Sequence, residues 1–378
     1  MSSYSFPLDE ALTYLKDLIS IPSVSGEEQA IGIYLEDKLR GFGADQVSRI
    51  GSEDRFSVCA HITGSTPGPH ILMTGHIDTV PPGDGWTCDP FTPLLRDGRI
   101  YGRGSNDMKG GISIILTVFH WACQHREQLS GKLSVVLVPD EEKFSTGVQQ
   151  VLQSGFSADF ALSAEPSYGK LIIGAVGKVL IQGDFIGKRA HGSEPQNGIN
   201  AISEAAVLTA HLNQLPPPAC SAAEPQPYVP LRIQGGETTY STDIPDHCTI
   251  LINKHTVPGE SWDYIYSDLN QLVQDLPLKC SVSFQKKSPF SPPYALSEDH
   301  PELLRLKSLY EQVLQHPVQM IWDDGVSDNN CWVGTGGIPT VCLGPSGEGM
   351  HGPNEWVSVD EIQQCGQTYL EYILHSKS

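Results

Sequence analysis

Leu8, Leu12, Leu15 and Ile19 recur at helical spacing and predict an amphipathic helix that Pro22 ends. Ser25 followed by Glu28 has the spacing of a capping box and opens a second helix with Ile31, Leu35 and Leu39 on its apolar side. Strands are predicted near 57–62 and 70–75, and a hairpin over 94–101 turning at Asp97-Gly98. The loop Gly102–Gly110 leads into a long apolar helix over 112–122, with Ser105 and Asp107 as its candidate caps. Lys132–Val138 reads as a buried strand that stops at Pro139-Asp140-Glu141-Glu142. Ser145 then caps a short helix, and Phe160–Ser163 is a third strand, stopping at Glu165-Pro166. Strand, acid, helix, strand, acid predicts an α/β sheet of largely parallel strands.

From about Gly177 the pattern changes. Strands over 178–187, 248–257 and 279–287 alternate with helices over 198–215 and 262–276, and Pro216-Pro217-Pro218 is a breaker. These elements suit a small antiparallel α+β unit. The α/β pattern then resumes, with a helix over 301–314, a strand over 339–343, a Gly/Pro-rich loop over 344–353 and a closing helix over 359–375. The simplest organisation is a discontinuous domain, 1–176 with 287–378, into which 177–286 is inserted.

Composition narrows the picture. The 378 residues carry 24 Lys plus Arg against 44 Asp plus Glu, a net charge of −20, which argues against nucleic acid or an anionic membrane as partner. No apolar run approaches the ~18 residues of a membrane span, and the first residues lack a secretion signal. Nine cysteines without a Cys-x-x-Cys pair suit reduced thiols in a cytoplasm.

The chemistry-bearing residues are His76 and Asp78, Asp107, Glu141 and Glu142, Glu165, and His351. Most follow predicted strands, and a parallel sheet gathers such strand ends on one rim, where ligands sit. Two imidazoles with several carboxylates suit Zn²⁺, Co²⁺ or Mn²⁺ without selecting one. A carboxylate shared by two ions clamps a hydrolytic transition state, and one of two adjacent acids can stay free as a general base. Each position also has a plain structural reading: a helix cap at Asp107, a solvated turn at Glu141-Glu142, a loop histidine at His351.

Six stretches weigh against that plain reading. They are Gly75–Pro81; Tyr101–Gly104 through Asp107–Gly110; Asp140-Glu141-Glu142; Ala164-Glu165-Pro166; Ala190–Ser193 with Gly198–Ile202; and His351–Glu355. In this order, over nearly the whole chain, they resemble the metallopeptidase family of acetylornithine deacetylase, succinyl-diaminopimelate desuccinylase, aminoacylase and glutamate carboxypeptidase. The resemblance implies an α/β catalytic domain with a mostly parallel sheet, an inserted ferredoxin-like α+β lid that dimerises, and two Zn²⁺, with Co²⁺ or Mn²⁺ as alternatives. It implies that His76 and Glu165 hold one ion, Glu142 and His351 the other, and that Asp107 bridges them. Asp78 would orient His76, Glu141 would carry the proton, and His191 would stabilise the oxyanion in a neighbouring subunit's site.

Departures lie in the lid and just after the paired acids. Thr242 stands where the family usually has Asn, and His255 where it usually has the Arg that grips a substrate carboxylate. Lys254 could replace that Arg only if the alignment slips by one residue, which in a strand turns the side chain to the other face. Lys143 and Phe144 replace the glycines usual after the paired acids. The expected activity is removal of an acyl group from an N-acyl amino acid, of the acetylornithine or succinyl-diaminopimelate type. The alternative is a dipeptidase or carboxypeptidase. A catalytically silent metal-binding protein would be marked by loss of Glu141 or a ligand, and none is lost. The expected partners are a small-molecule substrate and a second copy of the chain, in the cytoplasm.

Overall fold

A computed structural model describes residues 4–215, 226–237, 239 and 241–374. The chain forms two compact units: residues up to Gly174 with Ala295–Asp323 and the chain from Ser327 onward, and Ala175–Tyr294 with Asp324–Val326.

The first unit is built on a sheet whose centre is parallel. Strands Ser130–Val138, Thr66–His76, Phe160–Ser163 and Thr340–Cys342 lie side by side in that order, all pointing the same way. Phe56–Thr63 joins one side antiparallel, followed by Gln46–Gly51, and Leu171–Ala175 joins the other. Successive residues of the central strands serve two cores: Ile71, Met73, Val135 and Leu137 pack on one face, and Leu72, Val136 and Val138 on the other. Burial on both faces is why these strands read as continuous apolar runs.

Helix Gly110–Gln124 is buried on almost every side and packs against helices Leu8–Ile19 and Val359–Leu374 as well as the sheet. Its close approach to the sheet rests on Gly111, where a Cβ would fall on the main-chain oxygen of Ala164. A short sheet of Leu94–Arg96, Arg99–Tyr101, Gly347–Glu348 and Trp356–Ser358 completes this unit. Its hairpin turns at Asp97 and Gly98, both at positive φ, as a tight primed turn requires.

The second unit runs strand Gly177–Ile186, helix Ala201–His211, strands Tyr228–Gly235 and His247–Thr256, helix Trp262–Asp275 and strand Ser281–Ser291. All pairings are antiparallel, and the second and third strands lie on one side of the first and the fourth on the other. This βαββαβ order is ferredoxin-like.

Several local expectations are corrected. Helix Gln29–Gly41 has no side-chain cap at Glu28, because the Ser25 hydroxyl donates to Asp78 Oδ2 at 2.7 Å instead. Ser145 stands at the start of helix Thr146–Gln153 without capping it, and Asp140 accepts the Thr146 N–H at 3.3 Å. Neither Ser105 nor Asp107 caps the long helix, which begins after Lys109. The last strand of the second unit continues past Lys287 to Ser291, with a register shift before Phe290 that accommodates Pro289, which has no N–H to pair. The predicted breaker at 216–218 lies outside the described residues, as does His375 of the closing helix.

Candidate metal centre

Parallel register places the ends of the central strands on one rim. His76 lies opposite Val138, Thr74 opposite Ser163, and Cys342 also opposite Ser163. His76 therefore ends its strand beside the turn carrying Asp140, Glu141 and Glu142 and beside the one carrying Glu165. Asp107 arrives from the turn ahead of the long helix, across a cis peptide to Met108. His351 arrives on the Gly-rich loop with φ 60°, a left-handed conformation unusual for a residue with a Cβ.

Asp107 stands between the two histidines. Its Oδ1 lies 2.9 Å from His76 Nε2 and its Oδ2 3.2 Å from His351 Nε2. Glu165 Oε1 is 3.6 Å from His76 Nε2, and Glu142 Oε2 is 3.0 Å from His351 Nε2. One donor atom each from His76, Asp107 and Glu142 lie within 4.8 Å of one another. One carboxylate thus faces two imidazoles, each of which has a further carboxylate of its own.

The charge state reflects this crowding. Burial alone pushes the His76 imidazole down, but Glu165, Asp107 and Asp78 overcome it and hold the ring well above the usual histidine range. Hydrogen bonds to Asp107 and Glu142 raise His351 to about 10. Burial drives Glu165 and Glu141 well above the usual carboxylate range, opposed by His76 and reinforced by the neighbouring acids. Burial pushes Asp107 the same way, but the two imidazoles beside it prevail and hold it far below that range.

The surrounding groups fix these side chains. His76 Nδ1 is 2.9 Å from the Asp78 main-chain oxygen and 3.6 Å from its Oδ1, which leaves Nε2 to face Asp107. The Asp78 carboxylate accepts the main-chain N–H groups of Glu141 at 3.1 Å and Glu142 at 3.2 Å. One buried acid therefore orients both the imidazole and the acid pair.

Four further residues carry weight that motif reading did not assign. Glu355, fully buried, accepts from Arg103 Nη1 at 2.6 Å and from the main-chain N–H groups of Gly104, Asn106 and Asp107 at 2.8, 2.9 and 3.0 Å. Lys109 Nζ donates to the Leu18 and Ile21 carbonyls, both at 2.9 Å, and anchors the other end of that turn. Asp140, at φ 74°, takes Arg55 Nη2 at 2.5 Å. Asp328 is buried and neither of its oxygens has a well-formed hydrogen bond. Burial raises it to about 7, with Asp78 and Asp140 adding to the rise and the nearby Ser145 hydroxyl and His76 opposing it.

The profile of Peptidase family M20/M25/M40 matches residues 72–375. The chain belongs to this family. It is 26% identical over 377 residues to a succinyl-diaminopimelate desuccinylase of Sulfurovum sp., an alignment covering 95% of this chain and 97% of the relative. Its fold matches a tripeptidase from Staphylococcus aureus (TM-score 0.77, 22% identity, 99% of each chain). It also matches aminopeptidase PepT from Bacillus cereus (TM-score 0.80, 18% identity, 99% of this chain and 100% of that one). The M20 chain is a hydrolase of the metallopeptidase class, and its fold also matches a Bacillus subtilis protein described as a dinuclear metal binding peptidase of the M20 family (TM-score 0.74, 17% identity, 97% of each chain).

The remaining predicted site residues lie in the second unit. His191 is exposed, with Nδ1 2.7 Å from the Ser193 hydroxyl. Thr242 is its neighbour: the Thr242 carbonyl packs so closely on Gly192 that a Cβ there would collide, and His191 bridges Asp243. His255 is not part of this group. It lies eight residues along strand His247–Thr256, about 26 Å from the strand's start at the usual rise. Lys254 faces inward, 3% exposed, with Nζ 2.9 Å from Glu260 Oε1 and 2.5 Å from the Gln226 carbonyl. A one-residue slip that would make Lys254 an anion-binding cation is thereby ruled out.

Proposed function

We propose that this M20 hydrolase removes the acyl group from an N-acyl amino acid, as its desuccinylase-named relatives suggest. The observation that carries the reading is Asp107, whose two oxygens face two different imidazoles, while a separate half-buried acid, Glu141, lies close enough to act electrostatically on His76 and Asp107.

His76 and Glu165 would hold one Zn²⁺, Glu142 and His351 the other, and Asp107 would contribute an oxygen to each. Co²⁺ and Mn²⁺ suit the same donors. When bound, the ions polarise the scissile carbonyl and make water a usable nucleophile near neutral pH. Glu141 takes the proton of the attacking water and delivers it to the leaving amine. Its raised affinity for protons suits both halves of that transfer. Asp78 keeps Glu141 and His76 in register through its contacts to both. His191, with Nδ1 held by Ser193, has Nε2 left to donate to the developing oxyanion in a partner subunit's site.

A homodimer through the inserted unit is supported by its edge strand, Tyr228–Gly235, where Val229, Leu231 and Ile233 are 43%, 56% and 44% exposed. An unpaired apolar edge is a pairing surface. Among the described residues no helix is long and apolar enough to cross a membrane and eight cysteines are unpaired, in keeping with a cytoplasmic enzyme.

The test is metal content of the purified chain, followed by amine release from N-acetyl and N-succinyl amino acids and from di- and tripeptides. About two ions per chain, with turnover of N-acyl amino acids, is expected. Preferential cleavage of peptides would move the activity to the dipeptidase alternative, and absence of bound metal after adding Zn²⁺, Co²⁺ or Mn²⁺ would overturn the catalytic reading.

A further inference from the structure

The two histidines of the centre are held in different ways. His76 ends a buried strand and its side chain is 1% exposed, whereas His351 sits on a loop and is 52% exposed. A half-exposed imidazole on a loop keeps its place when the loop itself is tied down. Here the tie comes from the other histidine's side. The loop over 81–93 leads away from the strand that ends at His76 and meets the loop that carries His351. Asn354 lies three residues after His351, and its Oδ1 accepts both the main-chain N–H and the hydroxyl of Thr87, at 2.8 and 2.7 Å. Its Nδ2 donates to the Gly85 carbonyl at 3.4 Å. Arg103 Nη2 joins the same two loops, donating to the Gly352 carbonyl at 2.8 Å and the Pro82 carbonyl at 3.2 Å. A Cβ on Gly85 would stand 3.4 Å from Pro353 Cγ, so the loops also pack closely. Asn354 has φ 57°, a left-handed conformation that asparagine adopts more readily than most residues with a Cβ. All of these residues belong to the first unit.

We propose that Asn354 is a positioning residue for His351: it latches the His351 loop to the loop over 81–93 and so holds the imidazole beside Asp107 and Glu142. This rests on the two-ion reading of the centre, in which Glu142 and His351 hold the second ion.

The geometry makes the two half-sites unequal in their dependence on this latch. His76 is set by its strand and by the Asp78 main-chain oxygen at Nδ1, so releasing Asn354 leaves it in place. His351 Nε2 faces the Asp107 and Glu142 side chains, and the direction of its ring follows from where the loop stands. Loss of the latch should therefore separate the two ions, sparing one and weakening the other. Arg103 is a poorer probe, because it also carries Glu355, which fixes the turn bearing Asp107, so its substitution disturbs both half-sites. Thr87 and Asn354 meet at the loop pair itself.

The experiment reads metal binding and loop opening separately. The full chain, stripped of metal, is titrated with Zn²⁺ against a chelating dye. Asn354→Gly is the test variant, since glycine is at ease at φ 57° and the side chain is removed without strain. It is expected to take up the first ion as wild type does and to bind the second about 10–100-fold more weakly, the range usual for groups that orient a metal ligand. Asn354→Asp, which keeps an oxygen for both Thr87 donors, should recover most of that loss. Thr87→Val, which loses the hydroxyl but keeps the N–H, should fall between. In EDTA, amide hydrogen exchange over 349–354 should be about tenfold faster in Asn354→Gly, as expected for the loss of a cross-loop hydrogen bond. A second ion bound as tightly as in wild type, or both ions weakened alike, overturns the latch. If the wild-type chain takes up fewer than two ions, the two-ion reading fails and exchange alone decides: faster exchange in Asn354→Gly upholds the latch as a tie between the loops, and wild-type exchange overturns it.

Discussion

Glu355 offers the sharpest test of how the centre is held. Both of its oxygens are saturated: Oε2 by Arg103 and the Gly104 N–H, Oε1 by the N–H groups of Asn106 and Asp107. In Glu355→Gln the side chain keeps its shape, but an NH₂ must face two of these four donors. Arg103, 1% exposed, is left as a buried cation without its counter-charge. Removing one member of a buried ion pair costs about 3–5 kcal/mol, and each donor left unpaired about 1–3 kcal/mol. These costs overlap, so a total of about 4 kcal/mol is expected, a large share of a typical stability of about 5–15 kcal/mol. Urea unfolding in the presence of EDTA isolates this from any metal contribution. With a slope of about 2–3 kcal/mol per M, the midpoint should fall by roughly 1.5 M. Metal content should fall as well, because the Asp107 N–H bond sets where the carboxylate between the two imidazoles stands. Adding Arg103→Met removes the stranded cation and should recover part of the loss. An unchanged urea midpoint together with wild-type Zn²⁺ uptake would refute the reasoning.

Three further outcomes are expected. Glu141→Gln should lower kcat by about 10²–10⁴ while metal content stays at the wild-type level, and turnover within tenfold of wild type would remove Glu141 from the proton-transfer role. Burial, with Lys132 adding, lowers His70 to about 4. An unfolded histidine titrates near 6.5, so as pH drops from about 6.5 to 4 the unfolded chain takes up the proton first and stability is lost. The full shift corresponds to roughly 3 kcal/mol, cut to about half by the ring's partial exposure, and His70→Gln should flatten this acid limb in urea titrations at pH 7 and 4.5. Equal limbs in both proteins would rule that out. Gly111→Ala gains about 1 kcal/mol of helix propensity but drives a Cβ into the Ala164 carbonyl, and a main-chain atom cannot swing aside. Overpacking of about 1–3 kcal/mol should dominate, lower the melting temperature and displace Glu165; an unchanged melting temperature would contradict the close approach.

What could be read from the chain, and what could not, divides along physical lines. The parallel centre of the sheet was legible because strands buried on both faces are continuous apolar runs, and each is followed by an acid or a histidine. Strands Gln46–Gly51 and Leu171–Ala175 were not: the first is partly exposed and mixed in composition, and the second is short and closely follows Phe160–Ser163. The tripeptide Asp324–Val326, which groups with the second unit, has no local signature at all. Ser25 and Asp107 illustrate a deeper ambiguity. Serine and aspartate ahead of a helix are the usual caps, yet here both side chains turn to the centre.

Residues that position others are the hardest to find, because their meaning lies in pairings between distant segments. Glu355 reaches back about 250 residues to the turn bearing Asp107, and Asp78 reaches forward more than 60 to the acid pair. In the chain each is simply an acid near a glycine or a histidine. Lys254 shows the same dependence on register. It is the more obvious cation by position, yet the alternation of side chains along its strand turns it into the core against Glu260. The metal donors were legible because most of them follow a strand closely in sequence, whereas the acids that hold them act across distant segments.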